Sequence, residues 1–293
     1  MTALRDTGFA KINLTLDVLG RRADGFHEIE SLVAFAALGD HVELEPGDTL
    51  ALAVEGPFAC ALSSDNLVIQ AAEAAKALKS TLRLGRFRLV KLLPVAAGLG
   101  GGSADAAAAL RLLARANHGT LSKSDIATLA PKLGSDVPVC LDSRPALITG
   151  RGECVKPVSG FPSCGVLLAN PGVPLGTQAV YAAHGAEPLP AAPLRTVEAP
   201  DFAGDFARFI NYVAPRGNAL EVPATQLAPV VNQVLTALAD LDGALVVRLS
   251  GSGATCFALF ETEDEAHHAA ARLSAAHPHW WIAATTLGAR TGG

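Results

Sequence analysis

Pro94-Val-Ala-Ala-Gly98-Leu-Gly-Gly-Gly-Ser103-Ala-Asp105 leads directly into a strong helix-forming segment at residues 106–114, and this stretch decides the fold. An apolar run over residues 87–93 precedes it and predicts a strand, so the local order is strand, glycine loop and helix. Glycines let a backbone approach a ligand closely, and the first amides of a helix have no partner inside the helix. Because the helix dipole adds positive charge at that end, the stretch predicts a phosphate-binding loop whose helix starts at an N-cap Ser103.

This glycine loop differs from the two best-known phosphate loops. G-x-x-x-x-G-K-[ST] has a lysine after its glycines, and this chain has none there. Ser103 stands where G-x-G-x-x-G has its third glycine. A flexible turn is the alternative for a glycine triplet taken alone, and the Ser103 N-cap argues against it. Beside the loop, Asp105 is expected to cap the helix or complement its dipole. Lys91 is expected to contact nucleotide or to lie exposed on the strand.

Composition limits the functional classes. Of the 293 residues, 50% are hydrophobic and 17% are charged, which predicts a globular protein with well-formed cores. The formal net charge of −5, with scattered Lys and Arg, argues against a nucleic-acid partner. No apolar run has membrane-spanning length and no secretory signal opens the chain, so we expect a cytoplasmic protein without a membrane partner. The five cysteines contain no C-x-x-C pair, which fits a reducing compartment.

Residues 9–18 alternate between apolar and polar side chains. That period predicts a half-buried strand from whose polar face Lys11 and Asn13 project, two residues apart. A turn with an Asp24-Gly25 signal follows, and it leads through Phe26-His27 into an apolar strand.

The rest of the chain alternates between predicted strands and helices. We predict two strands within 42–52, a hairpin over 146–158, and strands over 165–169, 244–249, 256–260 and 280–287. We predict helices from the Asp65-Asn66 cap to residue 77 and over 124–133, 224–241 and 262–276. The Pro-, Ala- and Glu-rich segment 184–200 is predicted to be a mobile surface stretch. At least one of Trp280 and Trp281 is expected in the core.

Four features stand together in this sequence: Lys11 and Asn13 on a strand, the glycine loop, Asp136 in a turn, and a small-residue loop at 250–254. With Pro-x-x-x-Gly-Leu-Gly-Gly-Gly-Ser-Ala at 94–104 and Leu-Ser-Gly-Ser-Gly-Ala at 249–254, the chain resembles the GHMP family of small-molecule kinases. One branch of that family is similar in further segments, which are Ala10-Lys-Ile-Asn-Leu14, Arg22-Ala-Asp-Gly-Phe-His27, Asp65-Asn-Leu67, Gly134-Ser-Asp-Val-Pro138 and Asn170-Pro-Gly172.

The resemblance implies a fold and an activity. The fold is α+β with two lobes, a ribosomal-protein-S5-like N-terminal lobe in residues 1–155 and a ferredoxin-like C-terminal lobe in 156–293, with the active site in the cleft between them. The activity is phosphorylation by Mg-ATP of the 2-hydroxyl of a CDP-linked methylerythritol (4-diphosphocytidyl-2-C-methyl-D-erythritol), in non-mevalonate isoprenoid precursor synthesis. The partners are then ATP and this small molecule, and the protein is a monomer or a homodimer.

The resemblance also implies roles for individual residues. Asp136 would be the general base, and Lys11 would orient it and stabilise charge at the transferring phosphoryl group. Mg²⁺ would have no dedicated protein ligands, although the Ser103 hydroxyl could reach Mg-ATP. ATP would be bound by Asn66, Pro94, Gly98, Leu99, Gly100, Gly101, Gly102, Ser103 and Ala104. The alcohol substrate would be bound by Asn13, Phe26, His27, Gly251, Ser252 and Gly253.

The chain departs from the branch at two positions. Phe26 stands where the branch usually carries Tyr, so stacking on cytosine is kept while a phenolic hydrogen bond is lost. The Asn-Asp-Leu-Glu segment of the branch is Asn218-Ala-Leu-Glu221 here, so any role of that Asp is absent or filled elsewhere.

Three other functions stay open at the level of sequence. Another family member, acting on homoserine, mevalonate or a sugar, is disfavoured by the segment at residues 22–27. A nucleotide-binding protein without catalysis is disfavoured because both Lys11 and Asp136 are present. A serine hydrolase is the weakest of the three, because neither Ser103 nor Ser252 lies in G-x-S-x-G.

Overall fold

The computed structural model describes residues 3–61, 65–189 and 197–288. Their strands are β1 (Leu4–Asn13), β2 (Asp17–Arg21), β3 (His27–Glu45), β4 (Ala51–Glu55), β5 (Arg86–Val90), β6 (Ala146–Gly150), β7 (Cys154–Pro157), β8 (Cys164–Asn170), β9 (Val246–Leu249), β10 (Cys256–Phe260) and β11 (Trp281–Leu287). Their helices are α1 (Leu67–Leu78), α2 (Gly101–Ala116), α3 (Lys123–Leu133), α4 (Val137–Asp142), α5 (Thr177–His184), α6 (Phe206–Val213), α7 (Glu221–Leu227), α8 (Val230–Ala239) and α9 (Glu263–Ala276).

Two compact units alternate along the chain. The first comprises Met1–Lys11, Leu38–Val95 and Gly100–Ser143, and the second comprises Ile12–Ala37, Ala96–Leu99 and Arg144–Gly293. Strands β1 and β3 and the glycine loop contribute residues to both units. The sequence analysis expected a single boundary between residues 155 and 156, which would divide the chain into two successive parts. That boundary stays a prediction.

The first unit packs helices with a small sheet. β5 pairs in parallel with β4 and antiparallel with the end of β3, from His41 to Glu45. Helix α2 contacts α1, α3 and α4. Its alanines at 106–109 are fully buried, and such small side chains let neighbouring helices approach closely. The glycines that begin α2 are therefore carried by a densely packed helix.

Strand β8 is the centre of the sheet in the second unit. All seven of its residues are buried, β10 and β11 pair antiparallel on its two sides, and β9 pairs with β10. Helices α8 and α9 pack on this sheet, and Leu167, Val234 and Leu273 belong to the shared core. Because the loop at 250–254 joins β9 to β10, the antiparallel pairing of these strands anchors both of its ends.

The remaining strands of the second unit follow the sequence prediction only in part, because the strand predicted over residues 9–18 is divided between β1 and β2, and β2 continues to Arg21. The first half of β3 pairs with β2 and with β6, and β6 and β7 form the expected hairpin. The predicted cap at Asn66 is confirmed, since Asn66 accepts a hydrogen bond from Val68 N. Thr262, predicted as the first residue of a helix, is the N-cap of α9 and accepts a hydrogen bond from Glu265 N. The predicted α+β class is confirmed, with helices and antiparallel strands in each unit. None of the helices in the described ranges is long and apolar enough to span a membrane.

The prediction for the start of α2 was wrong. The helix begins at Gly101, and its N-cap is Gly100, whose φ of 63° lies in the left-handed region. Ser103 is therefore inside the first turn and does not cap it. A glycine is suited to this position because it has no Cβ to clash in that conformation.

Two other element predictions need correction at their ends. β1 begins at Leu4 and ends at Asn13, and the polar residues Lys11 and Asn13 are 4% and 1% exposed, so this strand end is buried on both faces. The helix predicted over 224–241 is two helices, α7 and α8. Pro229 is the N-cap of α8, and proline has no N–H with which to continue a helix from α7.

Three smaller predictions also changed. Of the two strands predicted within 42–52, the first is the end of β3, and β4 extends to Glu55. Trp280 and Trp281 are both half-buried, so neither lies in the core, and Trp280 stacks on His277 at 3.8 Å between ring centroids. Part of the surface stretch predicted over 184–200 lies outside the described residues, at 190–196.

Candidate active site

The backbone at Gly100 is covered by a buried lysine. A Cβ at Gly100 would lie 3.2 Å from Cε of Lys11 and 3.7 Å from the Oδ2 atom of Asp136. The left-handed φ of Gly100 adds a second reason for glycine here. No side chain caps the first turn of α2, so the amides at its N-terminus are not taken up by a cap residue. The backbone of Gly100 therefore lies beside Lys11 and Asp136 with no side chain of its own.

Lys11 and Asp136 form an ion pair. The Lys11 ammonium is 2.9 Å from Oδ2 of Asp136, and the two side chains are 5% and 29% exposed. Asp136 is the N-cap residue of α4, but its carboxylate makes no capping hydrogen bond. The carboxylate is therefore not used for capping, and it remains accessible beside a buried positive charge.

The Ser103 hydroxyl lies next to the turn that carries Asp136. A Cβ at Gly134 would be 3.7 Å from the Ser103 Oγ atom. Over the described part of the chain, no three His, Cys, Asp or Glu side chains are grouped so that they could hold a metal ion.

The loop at 250–254 is bound to Gly98 within the second unit. Ser250 Oγ donates to the carbonyl of Gly98 at 2.9 Å and accepts from Asn13 N at 3.3 Å. Asn218 Nδ2 donates to the carbonyl of Gly251 at 2.7 Å. Ser252 is buried, and its hydroxyl is 3.0 Å from that of Thr177. These bonds fix the loop against the residues that begin the glycine run.

Replacing Gly98 by Ala is expected to destabilise the protein by about 3 kcal/mol. A Cβ at Gly98 would lie 2.1 Å from the carbonyl oxygen of Ser250, and φ is +75°. Gly172 is a matched control, because its φ is +78° and a Cβ there would meet nothing within 4 Å. Gly172→Ala should cost about 1 kcal/mol from the backbone conformation alone. Urea unfolding of both variants measures the difference, and equal losses would contradict the close approach of Gly98 and Ser250.

Phe26 and His27, which are neighbours in sequence, each contact another side chain of the second unit. His27 stacks on Tyr181 with 4.7 Å between ring centroids, and the Arg151 guanidinium lies 4.6 Å from the centre of the Phe26 ring. Burial lowers the pKa of His27 below its ordinary value of 6.5, and the charges of His184 and Arg21 lower it further. Phe26 is 51% exposed, so its ring has a free area for contact.

Family models match both parts of the chain. The model described as the N-terminal domain of GHMP kinases matches residues 66–144, and the model of the GHMP kinase C-terminal domain matches residues 199–279. A curated relative from Bradyrhizobium diazoefficiens, named 4-diphosphocytidyl-2-C-methyl-D-erythritol kinase, is 46% identical over 294 residues, which cover 98% of this chain and 99% of the relative.

The chain belongs to the GHMP kinase family. This membership confirms the predicted enzyme class, a small-molecule kinase, and family members use ATP. A crystal structure of 4-(cytidine 5'-diphospho)-2C-methyl-D-erythritol kinase is 32% identical, has a TM-score of 0.77, and is matched over 98% of this chain and 100% of that one. Homoserine kinase from Cytophaga hutchinsonii has a TM-score of 0.70 over 98% of this chain and 94% of that one, but at 16% identity this shows only a shared fold.

In this GHMP kinase the residues predicted for ATP lie in both units. Asn66 uses its Oδ1 atom to cap α1, and the next residue, Leu67, packs near Gly102. Gly98 and Leu99 belong to the second unit, and the others belong to the first. Pro94, Leu99 and Ala104 are buried, so their side chains contribute to packing.

The structure contradicts the exposed or nucleotide-contacting position predicted for Lys91 and the capping role predicted for Asp105. Their side chains are 2% and 4% exposed, and they form an ion pair at 2.8 Å. Lys91 therefore neither lies exposed nor reaches out to a nucleotide with its side chain, and Asp105 does not cap α2. Burial lowers the pKa of Lys91, but the charges of Asp105 and Asp40 outweigh that effect and raise it overall.

Sequence reasoning missed several residues around the site. Tyr181 and Thr177 lie on α5, a helix that was not predicted, and they contact His27 and Ser252. The Arg111 side chain donates to the carbonyls of Cys140 and Leu141 at 2.9 and 3.1 Å, which holds the end of α4 opposite Asp136. The only sequence signal for α5 was the apolar spacing within 177–184, which is too short to distinguish a helix from a loop.

Proposed function

We propose that this GHMP kinase transfers the γ-phosphoryl group of ATP to the 2-hydroxyl of 4-diphosphocytidyl-2-C-methyl-D-erythritol. The observation that carries the proposal is the Lys11–Asp136 pair beside the side-chain-free backbone of Gly100. The names of the relatives at 46% and 32% identity support the choice of substrate.

Asp136 acts as the general base. Its carboxylate takes the proton of the substrate hydroxyl as the oxygen forms a bond to the γ-phosphorus, and the bond from that phosphorus to ADP breaks. Lys11 holds the carboxylate in place from a buried position, and its ammonium offsets negative charge on the transferring group. Catalysis of this kind depends on positioning and charge, which is what a rigid lysine–aspartate pair supplies.

The amides of Gly101, Gly102 and Ser103 bind the phosphates of ATP. They stand at the N-terminus of a 16-residue helix, where the helix dipole favours anions. Mg²⁺ bound with ATP would neutralise phosphate charge, and the Ser103 hydroxyl is the protein group we assign to it.

The group formed by Phe26, His27 and Tyr181 recognises the cytosine. A base stacks on aromatic rings, and a neutral histidine can donate to or accept from its edge. Phe26 supplies stacking without the hydroxyl of a tyrosine at that position. Because Tyr181 already stacks on His27, it keeps the imidazole oriented before substrate binds.

The KM for the cytidine substrate is expected to rise as the pH falls below 6.5. The pKa of His27 lies below 6.5, so the neutral imidazole predominates above that pH, and His27 gains a proton as the pH passes down through the lowered pKa. We expect a flat KM between pH 6.5 and 8, and His27→Gln should abolish the rise at lower pH. The KM for ATP is the internal control. A substrate KM that responds to pH equally in wild type and His27→Gln would remove His27 from this role.

A substrate panel tests the proposed function. ADP release is measured with Mg-ATP and, separately, the cytidine diphosphate substrate, homoserine, mevalonate and a hexose. We expect turnover with the cytidine compound and less than about one hundredth of its kcat/KM with the others, since a missing hydrogen-bonded group is strongly discriminated. Turnover with homoserine or mevalonate alone would overturn the substrate assignment. ATP binding without turnover on any alcohol would indicate a non-catalytic nucleotide-binding protein.

A further inference from the structure

Three buried ionisable side chains lie next to the glycine loop and have no part in the proposed chemistry. The Lys91 ammonium is 2.5 Å from Oδ2 of Asp40 and 2.8 Å from Oδ2 of Asp105. The three side chains are 2%, 0% and 4% exposed, and all belong to the first unit. We call them the Lys91 cluster.

Burying these three ionisable side chains has a large desolvation cost. Removing charges from water costs several kcal/mol each, and apolar residues of similar size often give equal or greater stability. Here the pairing is also incomplete, because Oδ1 of Asp105 is buried without a hydrogen-bond partner. Burial raises the pKa of Asp105 to about 7, with Lys91 opposing and Asp40 adding to that rise. Stability is therefore a weak explanation for the presence of this cluster.

The contacts of the cluster join the two ends of the glycine loop. Before the loop, Oδ1 of Asp40 accepts hydrogen bonds from the amides of Leu92 and Leu93 at 2.6 and 2.8 Å. After the loop, Asp105 lies in the second turn of α2. Lys91 binds both carboxylates, so one ammonium links the backbone that enters the loop with the helix that leaves it.

The ammonium also lies directly against the start of α2. A Cβ at Gly101 would be 3.0 Å from Nζ of Lys91 and 3.5 Å from Oδ2 of Asp40. A shift of Lys91 would therefore be transmitted to the backbone at Gly101, whose amide is among those that we assign to the phosphates.

We propose that Lys91, Asp40 and Asp105 are positioning residues that hold the glycine loop in the conformation that binds nucleotide phosphates. The inference rests on the proposed function only in assuming that this loop binds ATP. All three side chains are buried, so they have almost no surface with which to contact the alcohol substrate, and we expect the cluster to act on nucleotide affinity and to leave recognition of the alcohol unchanged.

The test compares Lys91→Met and Asp105→Asn with wild type by calorimetric titration of Mg-ADP and by steady-state kinetics. We expect the Kd for Mg-ADP and the KM for ATP to rise about tenfold or more in both variants, since a displaced loop loses aligned contacts. The KM for the alcohol should stay within about twofold. Asp105→Asn keeps the shape of the side chain and decides the outcome if Lys91→Met does not fold.

Leu129→Ala is the matched control, because Leu129 is buried in α3 of the same unit and makes none of the hydrogen bonds or ion pairs of the cluster. It should lower the Tm and leave both the Kd for Mg-ADP and the KM for ATP unchanged. The inference is overturned if folded Asp105→Asn behaves like Leu129→Ala, with a lower Tm and unchanged nucleotide affinity. Failure of wild type to bind Mg-ADP would instead count against the proposed function.

Discussion

Replacing Asp136 by Asn is expected to lower kcat by about 10²- to 10⁴-fold while ATP still binds. The amide cannot take the proton of the substrate hydroxyl, yet it has the shape of the carboxylate. Asp136 makes no capping hydrogen bond in α4, so the substitution removes no helix-stabilising contact of that kind. The rate of ADP release under saturating substrates measures kcat, and calorimetric titration measures ATP binding.

Asp142→Asn serves as the control for this experiment. Asp142 is the last residue of the same helix and is exposed, so its substitution removes the same charge at the opposite end of α4. Its kcat should stay within about twofold of wild type. If Asp136→Asn retained more than about a tenth of the wild-type kcat, Asp136 would not be the general base.

Replacing Lys11 by Met should lower kcat by about 10²- to 10³-fold, an effect comparable to removing one preorganised donor from a transition state. The Lys11 side chain is 5% exposed and its ammonium is 2.9 Å from Asp136, so its loss removes both the partner of the carboxylate and a buried positive charge. Methionine has a similar length and carries no charge that would have to be buried. We therefore expect the protein to fold and kcat to fall more than the KM for ATP rises.

Lys156→Met is the control for this second substitution. Lys156 also donates to a fixed acceptor, the carbonyl of Val197 at 2.7 Å, but it lies in β7 of the second unit. Its kcat should be unchanged. An effect of Lys11→Met confined to Tm, with wild-type kcat for the folded protein, would assign Lys11 a purely structural role. Lys11→Arg should not restore activity, because a guanidinium is larger and Gly100 leaves little space above the side chain.

The parts of the site that are local in sequence could be predicted. The strand, glycine loop and helix around residues 87–116 follow from apolar spacing and glycine content, and the structure confirms that order. The exact helix start could not be predicted, because Ser103 is a good N-cap by its chemistry alone. Gly100 takes that position because its left-handed backbone fits closely over Lys11, which is a tertiary contact between residues far apart in sequence.

The parts that depend on long-range contacts were missed or misjudged. Lys91 was predicted to lie exposed or to contact nucleotide, because its partner Asp40 is 51 residues away in the chain and the sequence does not show that the two residues meet. Tyr181 was not singled out, since its stacking on His27 requires the fold to bring α5 to β3. The alternation over residues 9–18 correctly indicated a strand, but it could not indicate that the polar side chains of Lys11 and Asn13 would also be buried.

The measurement that tests the central claim most directly identifies the product made from Mg-ATP and 4-diphosphocytidyl-2-C-methyl-D-erythritol. Mass spectrometry and phosphorus NMR of the reaction should show one new phosphomonoester on the 2-hydroxyl for each ADP released. ADP formed without a phosphorylated alcohol, or a phosphoryl group attached to a different hydroxyl, would contradict the account.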